Sequence, residues 1–246
     1  MKGQSSMSYS AVIFDLFGTL VDDFAASIRA TNTDLATALN APSEPFTEMW
    51  RQTSEMRASG AFQTVEASIE YVCDAIGVRV VEQQMKKAVE IRLQQIRHAL
   101  EPKPDAISTI AQLKANDYKI GLLSNCSIEI PILWQDTPFA GLMDAAVFSS
   151  RERLRKPDPR IYLLACDRLG IIPGDCLYVA DGENHELAAA AKVGLHSVLL
   201  RNSSRDNNRE LLREAREWQG GIVETLSEVV DLVGAKIDRR IHGYNP

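Results

Sequence analysis

Six side chains of this sequence have the types and neighbours that could do chemistry. Asp15 closes the apolar run Ala11-Val12-Ile13-Phe14 and is followed by Gly18 and Thr19. Ser124 and Asn125 close the run Gly121-Leu122-Leu123. Asp181 closes Tyr178-Val179-Ala180, and Glu186 follows five positions later. Lys156 sits in the turn-rich stretch Arg155-Lys156-Pro157-Asp158-Pro159-Arg160. Gathered in one place, they supply a carboxylate nucleophile, a hydroxyl, a cation and a pair of acids. A side-chain nucleophile lets one difficult displacement proceed as two easier ones.

Strands and helices must bring them together. Short apolar runs bounded by turn residues read as buried strands. They fall at 11–14, 119–123, 145–148, 176–180 and 196–200. Helical spacing lies between them, at 105–116, 159–169 and 184–193. Pro159 starts the second of these helices and Gly170 follows it, as helix ends favour. Strands alternating with helices imply a parallel, doubly wound sheet, whose sites lie at the carboxyl ends of the strands. All the singled-out residues fall there or in a loop before a helix.

Residues 22–100 break this alternation. Phe24, Ile28, Leu35 and Leu39 form one apolar stripe, and Phe46, Met49, Trp50 and Met56 a second. Val65, Ile69, Val72 and Ile76 form a third, and Val81, Met85, Val89, Leu93, Ile96 and Leu100 a fourth. Four helices without a strand predict a separate helical subdomain. Glu101-Pro102-Lys103-Pro104 reads as the linker back.

Composition excludes several classes. Of 246 residues, 45% are apolar and 24% charged, which suits a soluble globule and argues against disorder or fibres. The net charge of −6 predicts neither a nucleic-acid nor a membrane partner. No apolar run has membrane-spanning length. Residues 1–8 lack a signal-peptide core, and Met7 reads as a second possible start. The four cysteines are scattered, so reduced thiols in a cytoplasmic protein are expected rather than a zinc knuckle or disulfide scaffold.

Four stretches together resemble the haloacid dehalogenase superfamily. They are Phe14-Asp15-Leu16-Phe17-Gly18-Thr19-Leu20-Val21, Leu122-Leu123-Ser124-Asn125, Lys156-Pro157-Asp158-Pro159-Arg160-Ile161-Tyr162, and Val179-Ala180-Asp181-Gly182-Glu183-Asn184-His185-Glu186-Leu187. They occur in the superfamily's order and span nearly the whole chain. The resemblance implies an α/β hydrolase: a Rossmann-like doubly wound parallel sheet core (1–21 and 101–246) with an inserted four-helix cap (22–100). It implies that Asp15 attacks the substrate and forms a covalent aspartyl intermediate. Ser124 would hydrogen-bond the transferring group, and Lys156 would neutralise charge on it and keep Asp15 ionised. Asp15, Asp181, Glu186 and the Phe17 carbonyl would hold Mg2+, a cation suited to oxygen ligands. Phe17, Gly18, Thr19, Asn125 and the cap's Arg51 would contact a small-molecule substrate. The protein would act as a monomer or homodimer.

One position departs from the superfamily's phosphatases. They carry a second Asp two residues after the nucleophile as acid and base, and this chain has Phe17. General acid catalysis is worth about 10²–10⁴-fold. Alkyl phosphates are therefore expected to be poor substrates, and a leaving group that needs no proton is favoured. His185 is the one substitute donor the sequence offers. Dehalogenases of the superfamily carry an aromatic residue at this position, and Met49-Trp50-Arg51-Gln52 resembles their carboxylate-binding cap stretch. The acidic fourth motif points the other way, because Asp181 and Glu186 beside Asp15 repel one another unless a cation neutralises them. A magnesium-dependent phosphatase is thus expected, with a 2-haloacid dehalogenase as the alternative and a non-catalytic binding scaffold as a third.

Plainer roles are expected elsewhere. Arg51 and Arg57 could be surface arginines, Glu183 solvent-exposed, Cys126 a small buried hydrophobe, and Met49 and Trp50 cap core. His98, His196 and His242 show no partner in sequence. Arg201, Arg205, Arg209 and Arg213, interleaved with Asp206, Glu210, Glu214 and Glu217, read as a solvated, salt-bridged stretch.

Overall fold

The structure is a computed structural model that describes residues 9–23, 32–201 and 213–234. Phe24, Ile28, Arg205, Asp206, Arg209, Glu210, His242 and residues 1–8 lie outside them.

Six parallel strands form one sheet in the order β3-β2-β1-β4-β5-β6. They are β1 (Ala11–Phe14), β2 (Lys119–Ser124), β3 (Ala145–Phe148), β4 (Cys176–Ala180), β5 (His196–Leu200) and β6 (Gly221–Val223). β1 is central and wholly buried. Val12 and Phe14 join one apolar cluster and Ala11 and Ile13 the other. Burial on both faces is why these strands read as unbroken apolar runs.

The chain grows from β1 outward to β3, then returns to β4 and grows the other way. The reversal lies between β1 and β4, where Phe14 pairs with Val179. Such a switch point opens a crevice at the strands' carboxyl ends. Asp15 and Asp181 each follow directly after one of these two strands.

The cap runs through α1 (Asn32–Ala38), α2 (Ser43–Gln52), α3 (Ser54–Ala58), α4 (Val65–Ala75) and α5 (Glu82–Ala99). The expected second helix is two helices, divided at Thr53, so the described residues alone hold five cap helices rather than four. The Thr53 hydroxyl bonds back to the Met49 and Trp50 carbonyls, a local alternative to helical pairing. Leu35, Leu39, Phe46, Trp50, Ile69 and Val72 form the cap's own core. No helix among the described residues is long and apolar enough to cross a membrane.

On the core side follow α6 (Ala106–Ala115), α7 (Glu129–Leu133), α8 (Ser149–Glu152), α9 (Pro159–Leu169), α10 (Glu186–Lys192), α11 (Arg213–Glu217) and α12 (Glu228–Gly234). α9 has a full set of end signals. The Asp158 side chain caps it by accepting the Arg160 N–H, Pro159 opens it, and Gly170 ends it in the left-handed region. Neither β6 nor α12 was expected from sequence. A three-residue strand carries too short an alternation to be seen.

Cap and core meet through specific contacts. Arg92 of α5 and Glu129 of α7 form a buried ion pair at 2.6 Å. Ser149 Oγ donates to the Ala58 carbonyl at 2.6 Å. Gly60 (φ +74°) lies so close to the core that a Cβ there would stand 2.2 Å from the Ser150 carbonyl oxygen. Gly60→Ala is therefore expected to cost on the order of 1–3 kcal/mol, from left-handed strain and overlap together. Gly77 shares the conformation (φ +73°) but has open space around it. Denaturant unfolding should show Gly77→Ala costing less, and an equal cost at both sites would contradict this account of the cap–core contact.

Candidate active site

The loop after β1 is wound so that Asp15 faces the crevice. The amides of Thr19, Leu20 and Val21 all turn back to the Leu16 carbonyl, and Gly18 takes the positive φ (+76°) this needs. Lys103, from the linker, donates to the Gly18 carbonyl at 2.6 Å and ties the loop down. The Asp15 backbone N–H bonds to the Val179 carbonyl at 3.0 Å, joining nucleophile loop to β4. The Thr19 hydroxyl donates to Asp15 Oδ2 at 3.2 Å.

Lys156 is buried and reaches two carboxylates at once. Its Nζ lies 2.5 Å from Asp15 Oδ1 and 2.5 Å from Glu186 Oε2. Asn125 places it. The Asn125 amide donates to the Lys156 carbonyl at 3.0 Å, and its Oδ1 accepts the Lys156 N–H at 2.8 Å. Asn125, expected to touch substrate, thus spends its side chain on the lysine's backbone. Ser124 stands at the end of β2, fully buried, its hydroxyl near the Cys126 thiol. Burial pushes that thiol up to about 12, so Cys126 is an inert filler, as expected.

Glu186 opens α10. A tight turn over Glu183–His185, with Asn184 and His185 both left-handed, returns the chain so that Glu186 points inward. Both its carboxylate oxygens are engaged. Oε2 accepts from Lys156 and from the Tyr178 hydroxyl (2.7 Å), and Oε1 accepts the Glu183 N–H at 3.2 Å. Asp181 Oδ1 accepts the same N–H at 3.2 Å. Oxygens of Asp15, Asp181 and Glu186 lie within 4.8 Å of one another, all three residues buried.

The electrostatics are acidic despite Lys156. Burial raises the Asp15 pKa and Glu186 raises it further, while Lys156 pulls it down without cancelling the rise. Burial disfavours the Lys156 ammonium, yet Asp15 and Glu186 outweigh that and raise its pKa. Glu183 is pushed up to about 7 by burial, then by Glu186, Asp15 and Asp23. It is half-buried beside the cluster, not solvent-exposed as its loop position suggested. One lysine thus faces more carboxylate than it neutralises.

Other expected residues lie elsewhere. Arg51 is exposed on α2, its guanidinium on Glu48 at 2.6 Å. Arg57 is buried, contrary to the surface reading. It stacks 4.1 Å over the Trp50 ring and donates to the Trp50 carbonyl. Phe17 is partly buried and packs against the core cluster on the Phe14 side of the sheet. His185 is exposed. His98 sits 3.0 Å from Glu101, three positions on, and His196 3.0 Å from the Gly174 carbonyl, a partner that folding brings. Glu214, expected in a solvated stretch, is buried and caps α10 by accepting the Leu187 and Ala188 N–H groups.

Sequence reasoning missed Tyr178. It alternates within an apolar strand, and nothing in a one-dimensional pattern marks its hydroxyl as reaching Lys156 and Glu186. Tyr162 lay inside the third motif, and its hydroxyl donates to the Glu186 carbonyl at 3.1 Å.

Comparison with known proteins gives the family and its fold. The family model described as haloacid dehalogenase-like hydrolase matches residues 9–194. An (S)-2-haloacid dehalogenase 4A of Burkholderia cepacia is 29% identical over 78% of this chain and 83% of its own. A phosphoglycolate phosphatase of Yersinia pseudotuberculosis is 27% identical over 73% of this chain and 76% of its own. A solved structure of a defluorinating L-2-haloacid dehalogenase superposes with a TM-score of 0.65, at 26% identity over 92% of this chain and 96% of that one.

Proposed function

The chain belongs to the haloacid dehalogenase-like hydrolases, and we propose that within this family it is a magnesium-dependent phosphatase acting through an aspartyl intermediate. Its relatives include dehalogenases and phosphatases, so kinship does not choose between the two. The observation that carries the reading is the acidic surplus. Asp15, Asp181 and Glu186 converge in a buried cluster with Glu183 beside it and one lysine to offset them. A departing halide would leave into that negative field without a compensating cation.

The donor set fits magnesium. Hard carboxylate oxygens in a buried cluster are what it prefers. Asp15 and Asp181 with the Phe17 carbonyl would hold it. Glu186 has both oxygens committed, so its part is to neutralise and hold Lys156. When bound, the ion would offset the surplus charge and that of a phosphoryl group.

The residues would act as follows. Asp15 Oδ attacks phosphorus, forming an O–P bond as the bond to the leaving group breaks. Ser124 Oγ and Lys156 Nζ hold the phosphoryl oxygens. Water then attacks phosphorus, the Asp15–phosphorus bond breaks, and Asp15 is regenerated. With Phe17 in place of an acid, leaving groups that depart without a proton, such as the carboxylate of an acyl phosphate, are the preferred class.

Phosphate release from acetyl phosphate should require magnesium and vanish in EDTA. Phe17→Asp should raise turnover of alkyl phosphates by about 10²-fold or more, the usual worth of a placed general acid, with little effect on acetyl phosphate. Equal effects on both substrates would sink this account of position 17.

The dehalogenase reading rests on Phe17 itself, an aromatic where a proton donor is dispensable. It predicts halide release from 2-chloropropionate that persists in EDTA. Silence in both assays would leave the binding scaffold.

A further inference from the structure

The Lys156 ammonium has three protons, and the structure gives each its own acceptor. Two go to Asp15 Oδ1 and Glu186 Oε2, both at 2.5 Å. The third goes to the Tyr178 hydroxyl oxygen at 3.1 Å. An ammonium cannot accept, so the bond directions are fixed. The Tyr178 proton goes to Glu186 Oε2 at 2.7 Å. Lysine, tyrosine and glutamate thus close a three-membered ring of hydrogen bonds, with Asp15 attached at the lysine.

The ring is rigidly mounted. Tyr178 is fully buried on β4, between β1 and β5. Tyr162 of α9 packs edge-on against it at 5.6 Å between ring centroids. A rigid aromatic loses little freedom when it holds a partner, whereas a lysine has a long stem to restrain.

We propose that Tyr178 is a positioning residue: it fixes Lys156 and Glu186 as one unit aimed at Asp15, and its bond to Lys156 is the one exchanged for a substrate oxygen. Of the three ammonium bonds it is the longest, and the only one to an uncharged acceptor. Giving it up leaves both ion pairs intact. Tyr178 keeps Glu186 as its own acceptor throughout, so no buried hydroxyl is stranded during the exchange. The first half of the proposal is a property of the unliganded protein. The exchange rests on the phosphatase reading.

The test uses Tyr178→Phe, which removes one oxygen and keeps the ring. Lysine-ammonium 1H–15N spectra of the full chain, without substrate, should show one signal protected from solvent exchange. Lys156→Met should erase it, assigning it to Lys156. In Tyr178→Phe its exchange should quicken about tenfold or more, as a loss of one charged hydrogen bond implies. Tyr162→Phe loses a hydroxyl that donates to the Glu186 main chain and not to Lys156, and should leave the exchange rate close to wild type. Unchanged exchange in Tyr178→Phe, or equal acceleration in both variants, overturns the proposal.

With acetyl phosphate, Tyr178→Phe should lose about tenfold in kcat with KM within about twofold. A raised KM with kcat intact would overturn the exchange. Wild-type inactivity on acetyl phosphate would count against the phosphatase reading instead, and the ammonium exchange rates would still decide whether the ring holds Lys156.

Discussion

Asp15→Asn should abolish turnover while leaving the protein folded, at least as stable as wild type near neutral pH. The kinetic loss expected is on the order of 10⁴-fold or more, the scale on which covalent enzymes lose activity with their nucleophile. The amide keeps the shape that Thr19 and the backbone of the loop hold, but has no anionic oxygen to attack with. The stability half follows from the raised Asp15 pKa, whose first cause is burial and whose second rise comes from Glu186. A carboxyl with a folded-state pKa above its unfolded value binds more protons folded than unfolded. Its contribution is complete below the unfolded pKa, near 4, and is lost as pH rises through the folded value. Asparagine has no such loss. Unfolding titrations in EDTA should therefore show wild type falling relative to Asp15→Asn as pH rises from about 4. A variant that stays active, or one that becomes less stable at pH 7 than at pH 4 relative to wild type, would contradict the assignment.

Lys156→Met should lose stability as well as activity. Lys156 is the buried partner of two carboxylates, and removing one side of a buried pair typically costs about 3–5 kcal/mol. Methionine fills the stem's volume, so packing loss is a minor part. Left without this cation, which pulls its pKa down, Asp15 is expected to take up a proton on folding. The deficit should then be smallest near pH 4 and grow toward pH 8, again measured in EDTA. The Asp15→Asn/Lys156→Met double variant should recover part of the loss, because one stranded charge has gone. A deficit independent of pH, or strict additivity in the double variant, would show that Lys156 is not the charge that holds these acids together.

Much of this was legible before folding. β1 and β4 announced themselves because burial on both faces leaves no polar residue to interrupt them, and the acid that follows each strand stood out by contrast. Asp158-Pro159 and Gly170 marked both ends of α9 because cap chemistry is local. The unseen features are those set by tertiary contact. Glu183 reads as an exposed loop acid until the turn at Asn184 and His185 folds it toward Asp15. Glu214 reads as one partner in a charged stretch until α11 lays it on the start of α10. Arg57 has the sequence neighbourhood of a surface residue, and the fold makes it an interior one by laying it on the Trp50 ring with hydrogen bonds to Thr53 and the Trp50 carbonyl. Tyr178 shows the limit most clearly, since its ring obeys the strand's apolar alternation while its hydroxyl serves the site. The acids' charge is offset in part by the chain itself, through Lys156, and the surplus left after that lysine is counted is what the phosphatase proposal assigns to magnesium.

In the proposed reaction Asp15 carries a phosphoryl group and water releases it by attack at phosphorus. Turnover of acetyl phosphate in H2(18)O with magnesium tests it most directly, by mass analysis of the phosphate, the acetate and the Asp15 peptide. Label is expected in the phosphate, none in the acetate or in Asp15, with no release in EDTA or in Asp15→Asn. Label entering the Asp15 carboxylate during halide release from 2-chloropropionate, undiminished by EDTA, would mean that water attacks the aspartyl carbonyl carbon of an alkyl ester, and would contradict the claim.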